Sequence, residues 1–316
     1  MSDEEKRSQG VRNLVIGEEA SGQRLDNFLI RELKGVPRTR LYRALRKGEI
    51  RVNKGRARAD YRLQTGDNLR IPPLRQPPPA APANIPRYWG AQLAKRVVFE
   101  NGGLLVIDKP AGLAVHGGSG LAFGLIECLR QARPGDRYLE LVHRLDRDTS
   151  GLIMIARRPA VLRELHRQLR ADLVDKRYLA LVAGRWPRRL AKVEAPLEKN
   201  VLKSGERMVR VSRDGRYSVT EFSVVEQLRG ATLLEARPVT GRTHQIRVHA
   251  LHAGFPLLGD EKYGDQRSAE LAARIGLRRL FLHARALQFA LEEVGPVALQ
   301  APLGEDLESA LEKLRN

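Results

Sequence analysis

The amino-acid sequence predicts an α+β protein: a small basic α/β domain followed by a larger domain whose mixed, mostly antiparallel sheet is flanked by helices. Three observations carry this. Beyond residue 97, short apolar segments of strand-like composition follow one another, often with no helical segment between them, a pattern of α+β folds and not of doubly wound ones. Residues 72–86 hold seven of the 17 prolines; proline fixes its own φ and lacks an amide donor, so an extended, semi-rigid linker is expected. Residues 24–75 carry 15 Lys and Arg against five Asp and Glu, about half of a formal net charge of +19. At ~150 residues per domain, 316 residues suit two domains. The expected division is a tail with a lead-in strand (1–23), a basic domain (24–71), a linker (72–87) and a large domain (88–316).

The basic domain opens at residues 24–33 with apolar positions at helical spacing. A second helix, 37–48, starts on Pro37 and stops on Gly48, as first turns and C-termini favour. At ~100° per residue Leu41, Tyr42 and Leu45 share one face. Arg40, Arg43 and Lys47 lie opposite, with Arg46 at the flank and no acid before Glu49. Short strands are expected at 50–53 and 68–71. Arg24-Leu25-Asp26, the basic helix, Gly48-Glu49-Ile50-Arg51-Val52-Asn53 and Gly66-Asp67 occur in that order, and together they resemble the S4 RNA-binding domain. A cationic helix neutralises phosphates without reading sequence. Arg40, Arg43 and Lys47 are therefore candidate RNA contacts, and Asn53 is expected to offer a further hydrogen bond.

In the large domain, strands are expected at 97–99, 104–107, 139–142, 152–156, 178–182, 218–225 and 231–236. Helices are expected at 163–170, 243–252, 268–275 and 305–314. Composition excludes several classes. One cysteine, Cys128, allows neither an internal disulfide nor a cysteine zinc ribbon. The apolar runs fall far short of the ~18 residues of a membrane span, and the N-terminus reads as no signal peptide. A cytoplasmic protein with a polyanionic partner is expected.

The densest chemistry is His143-Arg144-Leu145-Asp146-Arg147-Asp148-Thr149-Ser150-Gly151, between two apolar strands. A polar hairpin loop is one reading. A calcium loop fails, because Arg157 stands where a bidentate glutamate is required. Gly117-Gly118-Ser119-Gly120 lacks the spacing of a nucleophile elbow, and phosphate-loop and dinucleotide fingerprints are missing. His244, His249 and His252 sit beside Arg242 and Arg247 without an acid, which favours packed or RNA-facing histidines over zinc ligands.

Five ordered elements identify a resemblance that runs from about Val97 to the C-terminus. They are Lys109-Pro110-Ala111-Gly112, the His143–Gly151 run, Lys176-Arg177-Tyr178, Thr240-Gly241-Arg242-Thr243-His244-Gln245-Ile246-Arg247-Val248-His249, and the pair Asp260-Glu261-Lys262-Tyr263-Gly264 and Leu282-His283-Ala284. They resemble the RluA-type pseudouridine synthases of the large ribosomal subunit, which convert uridine to pseudouridine. The resemblance implies the pseudouridine synthase fold and 23S ribosomal RNA as partner. It also implies a chain acting as a monomer, with no membrane and with neither metal nor nucleotide cofactor, since substrate and product are isomers.

By that resemblance the essential carboxylate is Asp146. It attacks the sugar as a nucleophile or removes the C2′ proton, and Arg247 pairs with it, an arrangement that favours the charged form. Tyr178 is implied to stack on the target base. A base inside folded RNA must be flipped out, and Arg144 is implied to fill the vacated stack. Arg242 and Lys109 are implied as phosphate or structural contacts. Two other readings are a non-catalytic ribosome-assembly factor and a metal-dependent nuclease. The first has no need of Asp146 and Tyr178, and the second needs more clustered acids than Asp146 and Asp148.

Overall fold

A computed structural model describes residues 10–33, 35–74, 84–118, 121–201 and 207–316. Most of the proline-rich linker and the first nine residues lie outside these. The chain divides into two compact units, residues 1–84 and 85–316.

The first unit pairs two helices, α1 (Leu25–Glu32) and α2 (Arg38–Lys47), with strands β1 (Arg12–Val15), β2 (Arg51–Val52), β3 (Gly55–Arg56) and β4 (Asn68–Ile71) in the order β1-β4-β2-β3. Helix α2 ends where Gly48 turns left-handed, φ +70°, and gives its amide to Ala44 and Leu45 carbonyls, as a glycine C-cap does. Leu41, Ala44 and Leu45 pack into the core with Leu25, Leu29 and Leu69. Tyr42 does not join them. It is 38% exposed, and its hydroxyl donates to Asp26 Oδ2 at 3.1 Å. A tyrosine at the edge of an amphipathic face meets water as readily as core, and a buried carboxylate claims its hydroxyl.

The larger unit holds helices α3 (Tyr88–Ala94), α4 (Leu125–Ala132), α5 (Pro159–Arg170), α6 (Gln245–His252), α7 (Gln266–Arg274) and α8 (Glu305–Arg315). Its strands are β5 (Val97–Glu100), β6 (Leu104–Lys109), β7 (Glu140–Leu141), β8 (Ser150–Ala156), β9 (Asp175–Ala183), β10 (Lys192–Glu194), β11 (Leu197–Val201), β12 (Arg207–Val211), β13 (Val219–Leu228), β14 (Ala231–Pro238), β15 (Leu282–Leu291) and β16 (Gly295–Gln300). One ten-stranded sheet runs β10-β13-β14-β9-β15-β8-β6-β5, with β16 paired to β15 and β7 to β8. Only β8 and β15 run parallel; the other named pairs are antiparallel. This is the α+β, mostly antiparallel architecture expected. β11 and β12 form a separate hairpin.

β8 is buried along its whole length. Ile153 and Ile155 face a core with Leu105, Ile107 and Leu129, while Leu152 and Met154 face another with Leu104, Val106 and Leu165. Burial on both faces explains its uninterrupted apolar run, and it gives the preceding loop a rigid anchor. The central strand β15 escapes the sequence reading, as do β10–β12, β16, α3 and α4. Its sequence, LHARALQFAL, is rich in helix formers. Pairing with β9 on one side and with β8 and β16 on the other overrides that preference.

Candidate active site

The loop into β8 is shaped by what holds it. Gly151 adopts φ +107°, and a Cβ there would stand 2.3 Å from the Ala284 carbonyl oxygen. Only glycine lets β8 approach β15 this closely. Ser150 Oγ donates to His283 Nδ1 at 2.9 Å and accepts from Arg279 at 3.1 Å. His283 Nε2 meets the Ala301 carbonyl at 3.2 Å, so its proton sits on Nε2. The turn closes as the Thr149 amide donates to the Asp146 carbonyl at 3.2 Å.

Lys109, at the end of β6, is fully buried. Its Nζ donates to the carbonyls of Pro110, Leu113 and Arg147 at 2.8, 2.9 and 3.0 Å. All three ammonium protons are thus spent inside the fold. Of the two roles foreseen for Lys109, phosphate or structural contact, the structure leaves the structural one. Burial pushes its pKa down to about 7 against the pull of Asp148 and Asp146. The contact to Arg147 ties it to the residue next to Asp146.

Asp146 meets a buried arginine. Arg247, on α6, donates from one terminal nitrogen to Asp146 Oδ2 at 3.2 Å. Its Nε and other terminal nitrogen grip Asp260 at 2.7 Å each, and its guanidinium lies 4.9 Å over the Tyr263 ring. Asp260 Oδ1 also accepts the amides of Lys262 and Tyr263 at 3.0 Å. The Arg247 fork is thus fixed bidentately. Burial works against its charge, but Asp260 and then Asp146 outweigh that and drive its pKa up. On the other side, His244 Nε2 stands 3.8 Å from Asp146 Oδ1, and its Nδ1 lies 2.7 Å from the Tyr263 hydroxyl.

Asp146 forms part of the common wall of two chambers. The larger, about 970 Å³, also touches Arg147, Lys199, Glu261 and Arg279. The smaller, about 610 Å³, is lined by Tyr178, Lys176, Arg170 and Arg242. Both share Arg144, Leu145, Asp146, Thr243, His244 and Arg247. Asp146 keeps 16% of its side chain exposed against 8% for Arg247, so the carboxylate faces the opening and the cation lies behind it. Tyr178, at a partly buried position on β9, has its pKa raised by burial first and by Asp146 second; its phenol is neutral. His143, at the loop's start, accepts the Met154 amide on Nε2 at 3.1 Å, and burial lowers its pKa to about 4.

Of the residues singled out in the sequence, Asp146, Arg247, Tyr178, Arg144 and Arg242 meet at this cleft, and Arg144 and Arg242 are exposed there. Arg40, Arg43 and Lys47 belong to the first unit. Arg43 and Lys47 project into solvent, whereas Arg40 is paired with Glu49 at 3.1 Å. Asn53 is committed internally: its amide donates to Asp67 Oδ1 at 2.7 Å and its Oδ1 accepts the Asn68 amide at 2.8 Å. Part of the hydrogen-bonding capacity expected from it toward RNA is thus engaged, with a second N–H left on an exposed side chain. His249 is buried between Thr220 and the Ala195 carbonyl, a packed histidine. Among the described residues no cluster of three His, Cys, Asp or Glu side chains could hold a metal ion.

Sequence reasoning gave no role to Asp260 or Tyr263 and read His244 only as packed or RNA-facing, although all three stand in quoted motif elements. The available signal was Asp260 with Tyr263 three residues on, a polar pair inside an otherwise structural stretch.

The RNA pseudouridylate synthase family model matches residues 103–252, and the S4 domain model matches residues 23–69. The chain is 51% identical over 315 residues to ribosomal large subunit pseudouridine synthase C of Pasteurella multocida, covering 99% of this chain and 97% of that protein. It is also 51% identical to the protein of the same name from Escherichia coli K12, covering 97% of each. Among solved structures, human RNA pseudouridylate synthase domain containing 4 superimposes with TM-score 0.60 at 27% identity, over 72% of this chain and 96% of that one. With an S4 domain ahead of it and the signature carboxylate and its arginine at one cleft, the chain belongs to the RNA pseudouridylate synthase family.

Proposed function

We propose that this enzyme isomerises uridines to pseudouridine in the ribosomal RNA of the large subunit, with Asp146 as the reacting carboxylate. One observation carries the reading: a single carboxylate held by a buried arginine at the shared wall of two chambers. The names of the similar proteins supply the substrate. The reaction breaks the C1′–N1 bond, forms C1′–C5, and moves the C5 proton out as N1 gains one. No electrons enter or leave, so acid–base or nucleophilic groups suffice.

Asp146 either attacks C1′ or takes the C2′ proton, and Arg247 keeps its carboxylate oriented in both cases. Tyr178, neutral and flanking the smaller chamber, offers a ring for the extruded base to stack on. Arg144, exposed where the chambers meet, is suited to fill the vacated stack. Arg242 contributes a cation at the mouth of the smaller chamber. The first unit strengthens and directs RNA binding through Arg43 and Lys47, with a smaller share for Arg40. On this reading the enzyme acts in the cytoplasm on ribosomal RNA, as a single chain and without a cofactor; no described helix is long and apolar enough to cross a membrane.

The test is Asp146→Asn, assayed for pseudouridine formation in single turnover and for RNA binding by titration. Turnover is expected to fall ~10³-fold or more with affinity nearly unchanged, because one acid fewer does not weaken phosphate attraction. Turnover of the purified variant near the wild-type rate would remove Asp146 from the reaction. Wild-type turnover is expected to persist in excess EDTA on folded RNA.

A further inference from the structure

The geometry points to His244 as the residue that positions the second oxygen of Asp146, acting beside Arg247. The inference deepens the isomerase reading and rests on it. Arg247 fixes Oδ2. Oδ1 faces His244 Nε2 at 3.8 Å, and such contacts commonly tighten once substrate is bound.

Which atom His244 presents is set by its other neighbour. The Tyr263 oxygen accepts the Val209 amide at 2.9 Å, and the same oxygen lies 2.7 Å from His244 Nδ1. Val209 N–H has nothing to accept with, so the hydroxyl proton goes to Nδ1. The imidazole then carries its own proton on Nε2, aimed at Oδ1. The chain Val209–Tyr263–His244 therefore sets a tautomer, as metal-free second partners of histidine do elsewhere.

A second, independent observation is the backbone. His244 sits at φ +54°, ψ +21°, left-handed, immediately before α6. A non-glycine residue there is uncommon and costs strain, which persists only when surrounding structure holds it. A Gly or Asn would adopt that conformation more easily. The strained residue is the one whose ring reaches the carboxylate.

Four charged groups face His244: Asp146 on the signature loop, Arg247 on α6, and Lys262 and Asp260 on the following loop. Burial lowers its pKa more than Asp146 raises it, so the neutral ring prevails at pH 7. On acidification the imidazolium forms a full ion pair with Asp146 and holds the carboxylate back from reaction. An acid limb in turnover is the consequence.

The experiment compares wild type, His244→Asn, His244→Gln and Tyr263→Phe on a defined ribosomal RNA fragment, with kcat, KM and pH profile measured for each and folding checked by thermal unfolding. Asparagine suits the left-handed backbone but is too short to reach Oδ1. We expect His244→Asn to fold like wild type and lose ~10–100-fold in kcat with KM within about twofold. Glutamine extends an N–H to the Nε2 position and should recover most of that loss while removing the histidine's share of the acid limb. Tyr263→Phe frees the tautomer and should fall between. Wild-type kcat in His244→Asn, a loss carried by KM, or an unchanged acid limb in His244→Gln would each overturn the positioning role. A wild-type enzyme that forms no pseudouridine would instead overturn the isomerase reading.

Discussion

In the unit that carries the S4 domain, two aspartates lie inside while the cations of the basic helix lie outside. Asp26 and Asp67 are 6% and 5% exposed. Asp26 is gripped by Arg24, the Asn27 amide and Tyr42, and Asp67 by Asn53, Tyr61 and the Gln64 amide, while Arg43 and Lys47 stand in solvent. In the synthase unit the central charges are arranged the other way. Lys109 and Arg247 are buried, Asp260 is spent on Arg247, and the carboxylate of Asp146 faces the cleft. A buried charge must be fully partnered to be tolerated, so in each unit the interior ions fix the scaffold; the first unit turns cations to the ligand, and the second turns its one reacting carboxylate to the cleft, with Arg144 and Arg242 exposed around it. Exposed cations on a rigid base suit a phosphate backbone, which asks for charge but not for exact geometry. One carboxylate backed by fixed cations suits chemistry, which asks for a reacting atom held in place.

The most severe way to break this comparison is to remove the buried lysine that holds the loop of the reacting carboxylate. Lys109→Met fills similar volume but leaves the carbonyls of Pro110, Leu113 and Arg147 without their donor. Unsatisfied buried groups cost roughly 1–3 kcal/mol each, partly relieved by relaxation. We expect a stability loss of about 3 kcal/mol and turnover reduced ~100-fold or more, with RNA affinity held by the first unit. Thermal unfolding and a single-turnover assay decide it. A stable, active variant would mean that Lys109 does not hold the Asp146 loop.

Acid sharpens the contrast in another way. All seven histidines belong to the larger unit. Burial lowers His143 to about 4 and shifts His166, His244, His249 and His283 in the same direction. An unfolded histidine takes its proton near pH 6.5, before any of these does in the folded state. Stability of the larger unit is therefore full above about pH 6.5 and falls as pH drops toward the folded values. His143 alone contributes ~2–3 kcal/mol between pH 6.5 and 4.5, at 1.36 kcal/mol per pH unit. Both tryptophans, Trp89 and Trp186, lie in that unit, so urea unfolding followed by their fluorescence reads it directly. The first unit has no histidine, and its hydrogen-exchange protection should change little over the same window. Equal destabilisation of both units, or none in the larger, would refute this.

The same two units show what a sequence discloses. The basic helix was legible because its cations, its Pro37 start and its Gly48 stop are local signals. Asp146 stands in the densest polar run of the sequence, but its role and its pairing with Arg247 were legible only through the resemblance to the pseudouridine synthases. Strand β15 was not legible, since its Ala-, Arg- and Gln-rich sequence becomes a strand only through partners far away in the chain. Lys109 shows a different limit: its residue type suggests phosphate, and only three carbonyls, two from the turn that follows it and one from the Asp146 loop, reveal that it points inward. His244 was read only as packed or RNA-facing, because its place beside Asp146 lies in a 3.8 Å approach across 98 residues of chain and in its contact with Tyr263. Tyr42 leaves the expected core face and Asn53 turns one N–H to Asp67 for a common reason: buried carboxylates recruit polar groups that local patterning assigns to core or ligand.

The smallest expected effect concerns the surface of the first unit, and it separates cations that composition treats as equal. Arg40 is held at 3.1 Å by Glu49, while Arg43 and Lys47 have no acidic partner among the described residues. A phosphate reaching Arg40 must compete with a carboxylate already in place, so fewer counterions are released there. Each phosphate contact contributes about 0.7–0.9 to the slope of log affinity against log salt. Replacing Arg43 and Lys47 together with Ala should flatten that slope by roughly 1.4–1.8, and Arg40→Ala by less than either single change. None should unfold the helix, because its buried face is Leu41, Ala44 and Leu45. Turnover of a short RNA at saturating concentration should stay at the wild-type rate, since these side chains belong to the unit without the reacting carboxylate. Titrations at four or more salt concentrations measure the slopes. If Arg40→Ala flattens the slope as much as the double variant, Glu49 does not shield it and pairing is no guide to which surface cations meet RNA; if no variant changes the slope, the basic face does not touch the substrate at all.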